Sequence, residues 1–547
     1  MKQIYYHGTI LTMEKDLIQE AVYVVDGKIK EVGKEANILA RKDSDTELID
    51  LQNRVLLPGF IDGHSHLSAV AYDLLMVNLR PSPSGNVNSV DDLKFVLKNW
   101  LKSHKLDKDQ WLIGAGYDNT CFAGNQEITK YDLDEVSTEI PIAITHVSGH
   151  VGVCNSLALQ KLGYTGDYTV PEGGTVECFL GTNEPTGLLE ENAFLDPSIK
   201  AKMSMPDPNK LLQSLIEAEK LYASYGYTSV QDGFTDERTY PLLTKVASDN
   251  LLFLDVTSYV SFSLLESLQQ NGIDNYGNHY HIGGVKLFLD GSPQAKTAWL
   301  TEPYYCIPEG KEKDYRGFAI YSDEEVYQYC KKCLQNNITL HTHCNGDAAI
   351  EQLLRCYQKA KEDTKNYQDL RPVIIHAQTI RDDQLDKMKQ LGMLASFFVD
   401  HVYYWGDYHK KSVLGSTRAK RISPIHSALE KGISFTIHQD SPVIAPNVMF
   451  SIHNAVNRMT RNGEVLGEEQ RISVLDSLKA FTVNAAYQSF AEDEKGSIKV
   501  GKRADFVILN QNPLEVDKSK IKDIDIVKTI KDGKIVYQNK KYLSKNE

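Results

Sequence analysis

The sequence predicts an α/β fold. A (β/α)8, TIM-like barrel carries an insertion after its first strand, and both termini together form a small composite β-sandwich domain. Three observations support this prediction. Apolar strand segments alternate with helical stretches from residue 55 to about 490, an unusually long segment separates the first two barrel strands, and both ends of the chain contain short strands joined by turns.

The two ends of the chain share a strand–turn–strand pattern. Asp26-Gly27 lies between two strand-like segments near the N-terminus, and Asp532-Gly533 lies between two others near the C-terminus. Neither end is long enough to bury a core by itself. We therefore predict one composite β-sandwich domain from residues 1–55 and 491–547.

The central part, residues 56–490, contains the predicted barrel. Its first strand is expected in the stretch 55–66, and the others are residues 227–232, 252–256, 284–290, 338–343, 373–376, 394–398 and 433–438. One βα unit needs roughly 30 residues, and far more than that separate the first strand from the second. We therefore predict an inserted subdomain at about 68–205, where insertions commonly shape a pocket.

Composition and charge narrow the classes of function. The 547-residue chain has a net charge of −13 and contains no long basic run, which disfavours a nucleic-acid partner. We find no apolar run long enough to cross a membrane, and the N-terminal segment lacks the apolar core of a signal peptide. The eight cysteines are scattered, which fits reduced thiols. We expect a cytoplasmic protein that acts on a small-molecule substrate; a homo-oligomer is left open.

The stretch 55–66 ends in His64-Ser65-His66. Side chains alternate along a strand, so two histidines separated by one residue would face the same side. Neutral imidazole is the commonest metal ligand in proteins. Taken alone, however, the pair is explained equally well as two polar residues at a strand end.

Residues with similar chemistry close the other predicted strands. They are Lys286 on the fourth strand, His343 on the fifth, His376 on the sixth and Asp440 after the eighth. Active sites of such barrels lie at the carboxyl ends of the strands. Sixteen histidines placed at random would not mark strand ends so regularly. We therefore predict a metal site formed by these residues and the histidine pair of the first strand.

Coordination chemistry suggests the roles of these residues. Two histidines and the Asp440 carboxylate suit a divalent ion such as zinc, while His343 and His376 suit either the same ion or a second one. A bound divalent ion lowers the pKa of water to about 7 and makes hydroxide available. Asp440 beside that water would act as a general base and then as an acid. We expect one or two divalent ions per chain, with zinc the first choice.

Lys286 has two interpretations. If burial and nearby cations lower the pKa of its amine, the neutral form can add carbon dioxide and become an anionic carbamate, an N6-carboxylated lysine that bridges two ions. Alternatively, the ammonium pairs with Asp290 or with another carboxylate of the barrel.

Five further residues are predicted to contact the substrate. His401, Tyr404 and Trp405 follow the seventh strand and resemble a pocket wall, although surface packing explains them nearly as well. Asp290 closes the fourth strand, and His150 lies in the insertion, from which it would reach the site.

Together these motifs resemble the amidohydrolase superfamily and, within it, the YtcJ-like, amidohydrolase-3 branch that includes N-substituted formamide deformylase. The resemblance spans nearly the whole chain. It is carried, in family order, by residues 57–66, Ser148-Gly149-His150 with 155–159, Lys286 through Ser292, His343 through Asp347, His376-Ala377, Asp440-Ser441-Pro442 and Gly501 through Leu509. Two departures are Gln439, where the branch often has a small residue, and Cys344-Asn345, which replaces a commoner apolar pair.

The resemblance implies a metal-dependent barrel hydrolase with a composite β-sandwich. It implies a carboxylated Lys286 as a bridge and Asp440 as both ligand and catalytic acid/base. The remaining implied metal ligands are His64, His66, His343 and His376.

We therefore expect a metal-dependent hydrolase of carbon–nitrogen bonds other than peptide bonds, which acts on an amide, N-formyl or N-acyl substrate through metal-activated hydroxide. The same site would also suit a cyclic amidase, a deaminase, or an esterase or lactonase. A non-catalytic barrel that only binds a ligand is the third alternative, and it is disfavoured because every ligand position is filled.

Overall fold

Two compact units make up the protein. The computed structural model describes residues 1–543 except 107–109, 123–125, 148, 150, 201, 204–207, 272–277, 309 and 366. The first unit comprises Met1–Ser68, Glu219–Ser441 and Pro446–Glu547, and the second comprises Ala69–Ala218 with Pro442–Ala445. Within the described ranges, no helix combines the length and the apolar character needed to span a bilayer.

An eight-stranded sheet forms the centre of the first unit, and each strand pairs in parallel with the next along the chain. The eighth strand lies beside the end of the first, because a Cβ on Gly63 would be 2.7 Å from Thr436 Oγ1. This curled sheet fits a TIM-like barrel. In chain order the strands are Phe60–Ile61, Tyr227–Thr235, Asp255–Val260, Tyr280–Phe288, Leu340–Cys344, Val373–His376, Leu394–Phe397 and Phe435–Ile437.

Helices separate these strands along the chain, as expected of an α/β fold. Every residue of the third and sixth strands is buried, which fits a parallel sheet. The helices that the first unit contains are Glu35–Leu39, Tyr240–Ser248, Phe262–Asn271, Asp323–Asn336, Asp347–Asp363, Asp382–Leu391, His401–Tyr408, Gly415–Ala419, Ile425–Glu430, Val448–Asn457, Val474–Ala480 and Val483–Gln488. The chain passes between the two units within helices Leu67–Asp73 and Pro208–Ser224.

The two ends of the chain supply two further sheets of the first unit, and the hairpins expected around Asp26-Gly27 and Asp532-Gly533 are present. Residues from both ends, including Val22, Leu56 and Phe506, pack in one apolar core. The four-stranded sheet contains Lys2–Tyr6, Ala21–Val25, Lys28–Gly33 and Thr46–Asp50. The six-stranded sheet contains Thr9–Leu11, Ile18–Gln19, Val55–Pro58, Phe506–Leu509, Ile526–Lys531 and Lys534–Gln538.

The second unit is built on its own six-stranded sheet, which combines parallel and antiparallel pairs. Its apolar core contains Leu93, Leu112 and Ile142. The strands are Val77–Asn78, Leu112–Tyr117, Ile142–His146, Val151–Cys154, Gly174–Cys178 and Pro185–Glu191. The helices are Val90–Ser103, Lys130–Asp134, Ser156–Leu162, Asn192–Leu195 and Pro197–Lys200.

The expectation that residues 55–66 form one strand ending in two histidines is wrong. Val55–Pro58 pairs with Phe506–Leu509 in the terminal sheet, and only Phe60–Ile61 belongs to the eight-stranded sheet. Gly59 joins them where no side chain fits, since a Cβ there would lie 2.3 Å from Thr228 Cγ2. Both histidines therefore lie in the loop after the strand.

Candidate metal centre

The loop after the first strand places the imidazoles of His64 and His66 beside the carboxylate of Asp440. His64 Nε2 lies 3.5 Å and His66 Nε2 lies 3.3 Å from Asp440 Oδ1. The backbone N–H of His66 also donates to the carbonyl of Ser441 at 2.9 Å, which joins the loop to the segment that carries Asp440. The two histidines thus face the same group because of loop geometry and not because of strand alternation.

Asp62 holds this loop in place. Its buried carboxylate accepts the backbone N–H groups of His64 at 3.1 Å and Gln231 at 3.0 Å, and also the hydroxyl of Ser65. Burial raises the pKa of Asp62 to about 6, although these hydrogen bonds oppose the rise. Gly233 leaves room for the ring of His64, because a Cβ there would lie 2.3 Å from its Cε1.

Lys286 reaches the same cluster from the fourth strand. Its Nζ lies 2.8 Å from His64 Nε2, and the side chain is buried. Burial lowers the pKa of Lys286 to about 7, while the Asp440 carboxylate opposes the fall. A substantial fraction of this amine is therefore neutral at neutral pH.

The carboxylate of Asp290 is occupied by backbone groups. It accepts the N–H groups of Asn345 at 3.0 Å, Gly346 at 2.7 Å and Trp299 at 3.0 Å. Burial raises the pKa of Asp290 to about 7. These bonds fix the turn after the fifth strand, and they already use the Asp290 oxygens that one interpretation offered to Lys286; a pair between Lys286 and another carboxylate is the other form of that interpretation.

His343 on the fifth strand contacts both a backbone carbonyl and a side-chain amide. Its Nε2 lies 3.2 Å from the carbonyl oxygen of Gly291 and 3.1 Å from Asn345 Nδ2, which also donates to that carbonyl at 2.9 Å. Burial lowers the pKa of His343 to about 4, so the ring is neutral.

His376 and Asp440 both have left-handed backbones, with φ of 72° and 55°. For residues other than glycine this conformation costs about 1–3 kcal/mol each and is concentrated at functional sites. His376 Nε2 lies 3.9 Å from Asp440 Oδ2, and the His376 ring is 4.6 Å from that of His343. Burial raises the pKa of Asp440, but the hydrogen bond from His66 and the nearby His376 together hold it well below its usual range.

These residues fit a divalent ion. The ligand atoms of His64, His66 and Asp440 all lie within 4.8 Å of one another. Tetrahedral ligands 2.0–2.1 Å from zinc are about 3.3 Å apart, close to the 3.3 and 3.5 Å found here. Burial also lowers the pKa of His64 and His376, and neutral imidazole is the form that binds metal. We call the following set the metal cluster: His64, His66, Lys286, His343, His376 and Asp440.

The residues predicted as a pocket wall differ in how far they are buried. His401 begins helix His401–Tyr408 and is buried, with its ring 4.5 Å from Phe398 and 4.8 Å from Trp405. Tyr404 is half-buried and lies 6.1 Å from the ring of Phe450. His150 lies outside the described residues.

Sequence reasoning overlooked Phe288, a neighbour of the metal cluster. The ring of Phe288 lies 5.4 Å from that of His343 and 5.1 Å from the amine of Lys286. Its position two residues after Lys286, on the same strand face, was the available signal. Gln439 is buried and bonds to Tyr227 and Ser451, so it links the segment before Asp440 to neighbouring elements. His438 contacts His376 directly.

Comparisons with known proteins identify the family of this chain. The model of the Amidohydro_3 amidohydrolase family matches residues 47–537, so the chain belongs to the amidohydrolase family. It is 28% identical to YtcJ of Bacillus subtilis (strain 168) over 98% of this chain and 100% of that protein. It is 24% identical to the N-substituted formamide deformylase of Arthrobacter pascens, with 95% of each chain covered.

A crystal structure of an uncharacterised metal-dependent hydrolase from Pyrococcus horikoshii OT3 has the same fold. Its TM-score is 0.75 at 24% identity, and the likeness covers 95% of this chain and 99% of that one. The resemblance inferred from the motifs is thus confirmed at the level of the family. The protein is an enzyme, an amidohydrolase that acts on carbon–nitrogen bonds.

Proposed function

We propose that the protein is a metal-dependent hydrolase that cleaves carbon–nitrogen bonds other than peptide bonds in an amide, N-formyl or N-acyl substrate. The observation that carries this proposal is the spacing of His64, His66 and Asp440, which matches ligands around one tetrahedral ion. The likeness to N-substituted formamide deformylase supports an N-formyl substrate.

The metal cluster would hold one or two divalent ions, with zinc the first choice. Such an ion, when bound, lowers the pKa of water and polarises a carbonyl group. His64, His66, His343 and His376 would supply nitrogen ligands, and Asp440 would supply a carboxylate.

Asp440 moves the proton in this proposal. Its carboxylate stays ionised over the ordinary pH range, so it can accept a proton from the attacking water. It then delivers that proton to the nitrogen that leaves as the amine. The imidazoles of His66 and His376 on either side hold the carboxylate in position for both transfers.

We propose that Lys286 is carboxylated. Its neutral amine forms a bond to the carbon of carbon dioxide and loses one proton, which gives an anionic carbamate that would bridge two ions. The lowered pKa of Lys286 supports this step. Intact-mass measurement of the metal-loaded protein should show one added carbon dioxide that the Lys286→Met variant lacks; an unmodified lysine in the loaded protein would contradict the bridge.

The remaining assignments are part of the same proposal. Residues 1–55 and 491–547 form the composite domain and residues 56–490 the barrel, with the inserted subdomain near 68–205. His401, Trp405 and Phe288 line the apolar side of the substrate site within the first unit.

A panel of substrates tests the function. Zinc-loaded protein is assayed with N-formylamines, N-acetylamines, cyclic amides, a lactone and an aminopurine, and the Asp440→Asn variant serves as the background. We expect release of amine from the open-chain amides only in the wild type. Turnover confined to the lactone, the cyclic amides or the aminopurine would assign the same site to the alternative chemistry. No turnover that depends on Asp440, in protein without stoichiometric metal, would overturn the proposal.

A further inference from the structure

A chain of buried hydrogen bonds begins at His376, on the side of the ring away from Asp440. His376 Nδ1 lies 3.2 Å from His438 Nε2, and His438 Nδ1 lies 2.8 Å from Ser396 Oγ. Ser396 Oγ lies 2.8 Å from Thr436 Oγ1. His438, Ser396 and Thr436 are each at most 1% exposed, so water does not compete for these bonds.

The hydrogen bonds at the Gly63 end of this series determine which group donates in each of the others. Thr436 Oγ1 lies 2.8 Å from Gln488 Oε1, and Gln488 Nε2 donates to the carbonyl oxygen of Gly63 at 2.7 Å. Because a carbonyl oxygen only accepts, the NH2 of Gln488 must face Gly63 and its oxygen must face Thr436. Thr436 therefore donates its single hydroxyl proton to the side-chain oxygen of Gln488.

Each remaining proton is then determined. Thr436 has no proton left for Ser396, so Ser396 donates to Thr436 and accepts from His438 Nδ1–H. His438 Nε2 consequently carries a lone pair and accepts from His376 Nδ1–H. The longer contact from Ser396 to the Gly63 carbonyl, at 3.4 Å, leads to the same result, because there too the Ser396 proton points away from His438.

We propose that His438, Ser396, Thr436 and Gln488 are positioning residues that keep His376 in the Nδ1–H tautomer, with its Nε2 lone pair directed at the metal cluster. This inference rests on the proposed metal-dependent function. A histidine ligand usually donates its other N–H to a fixed partner, and loss of that partner lowers metal affinity about 10–100-fold. Here the partner is a neutral histidine whose own tautomer is set by a backbone carbonyl four hydrogen bonds beyond it.

We call the hydrogen-bonded series from His376 through His438, Ser396 and Thr436 to Gln488 the relay. The Thr436→Val variant tests it, because valine keeps the shape of threonine and removes its hydroxyl. We expect the zinc dissociation constant of the apoprotein, measured by competition with a chromophoric chelator, to rise about 10-fold or more. Thr436→Ser keeps the hydroxyl and should restore wild-type affinity. Thr529→Val is the matched control, since the buried Thr529 hydroxyl bonds the carbonyl of Ala223 at 2.6 Å, outside the relay.

A spectroscopic signature separates positioning from general destabilisation. In apoprotein labelled with 15N-histidine, and assigned with a His376→Gln variant, we expect His376 to be the Nδ1–H tautomer in the wild type and a mixture in Thr436→Val. An Nε2–H form of His376 in the wild type, or unchanged zinc affinity in Thr436→Val, would overturn the relay. If the wild type binds no zinc but His376 is Nδ1–H, the proposed function fails while the tautomer assignment stands.

Discussion

The two ends of the eight-stranded sheet both contain buried ionisable groups, but only one end pairs them internally. The metal cluster lies at the carboxyl ends of the strands. At the opposite end, the amino end of the third strand contributes to a second group that we call the basal cluster, formed by Asp255, Lys495, Lys531, Asp505 and Asp532.

In the basal cluster every charge has an opposite partner. Lys495 bonds Asp255 and the hydroxyl of Ser229, while Lys531 Nζ lies 3.2 Å from Asp505 and 2.8 Å from Asp532. Burial raises the pKa of Asp255, but Lys495, His279 and Lys531 together outweigh burial and hold the pKa well below its usual range. Arg503 adds a third positive charge beside the three carboxylates, 4.0 Å from Asp255 and 3.6 Å from Asp532, so the set needs no further ion.

The metal cluster contains more nitrogen groups than carboxylates. Asp440 is its single carboxylate, and it faces a lysine and several imidazoles whose pKa values burial lowers. His64 Nδ1 has no hydrogen-bond partner among the described residues. Buried polar groups left this way are costly, so the difference between the two ends supports the proposal of a cation at the metal cluster rather than at the basal cluster.

The largest contrast is expected in catalysis. Asp440→Asn keeps the size of the side chain but removes the base, so we expect kcat/KM for the best N-acyl or N-formyl substrate to fall about 10³-fold. Asp255→Asn should leave kcat/KM within about threefold at a temperature where the variant is folded. Equal losses in the two variants would mean that the two clusters do not differ in role.

The opposite contrast is expected in stability. Asp255→Asn leaves Lys495 without its buried carboxylate partner, while Lys531 keeps Asp505. The free energy of unfolding of the apoprotein should therefore fall by about 3 kcal/mol in urea titrations. His66→Asn removes a partly exposed ring that contacts Asp440 Oδ1 at 3.3 Å, and its apoprotein should remain within about 1 kcal/mol of the wild type. Added zinc should then stabilise Asp255→Asn as it does the wild type, and His66→Asn far less.

A pH-dependent effect is expected from Glu219, a buried carboxyl outside both clusters. One of its oxygens accepts the N–H groups of Phe253 and Leu254, while the other has no hydrogen-bond partner among the described residues. Burial raises the pKa of Glu219 from 4.5 to about 8, although the two hydrogen bonds oppose the rise. Between these values the folded state holds the proton and the unfolded state does not, so stability falls as the pH rises.

The Glu219→Gln variant is neutral at every pH and checks this sign. We expect it to match the wild type near pH 4 and to exceed its free energy of unfolding by about 2–4 kcal/mol near pH 8. A constant difference between the two proteins across this range would show that Glu219 is already ionised in the folded state.

The meeting of the candidate ligands was predictable because it depends on a local sequence pattern. An apolar run that ends in histidine or aspartate marks a strand end, and barrel topology brings the strand ends together. Residues 373–376 form a strand as predicted, and His376 closes it. The strands that carry Lys286 and His343 were also placed within a few residues of where they are found.

Long-range contacts were not predictable in the same way. Which nitrogen of His376 is protonated depends on Gln488, far along the chain, and no local pattern links the two. The division of residues 55–66 between two sheets depends on Thr228 packing against Gly59. The six-stranded sheet of the second unit was likewise not foreseen, because its strands are short and irregularly spaced.

Anomalous diffraction from crystals grown with zinc tests the central claim most directly. We predict a peak at the zinc edge that lies about 2.0–2.2 Å from His64 Nε2, His66 Nε2 and an oxygen of Asp440, with no peak at the basal cluster. Crystals of the His66→Asn variant should show a much weaker peak. Wild-type crystals without a peak between His64, His66 and Asp440 would contradict the account.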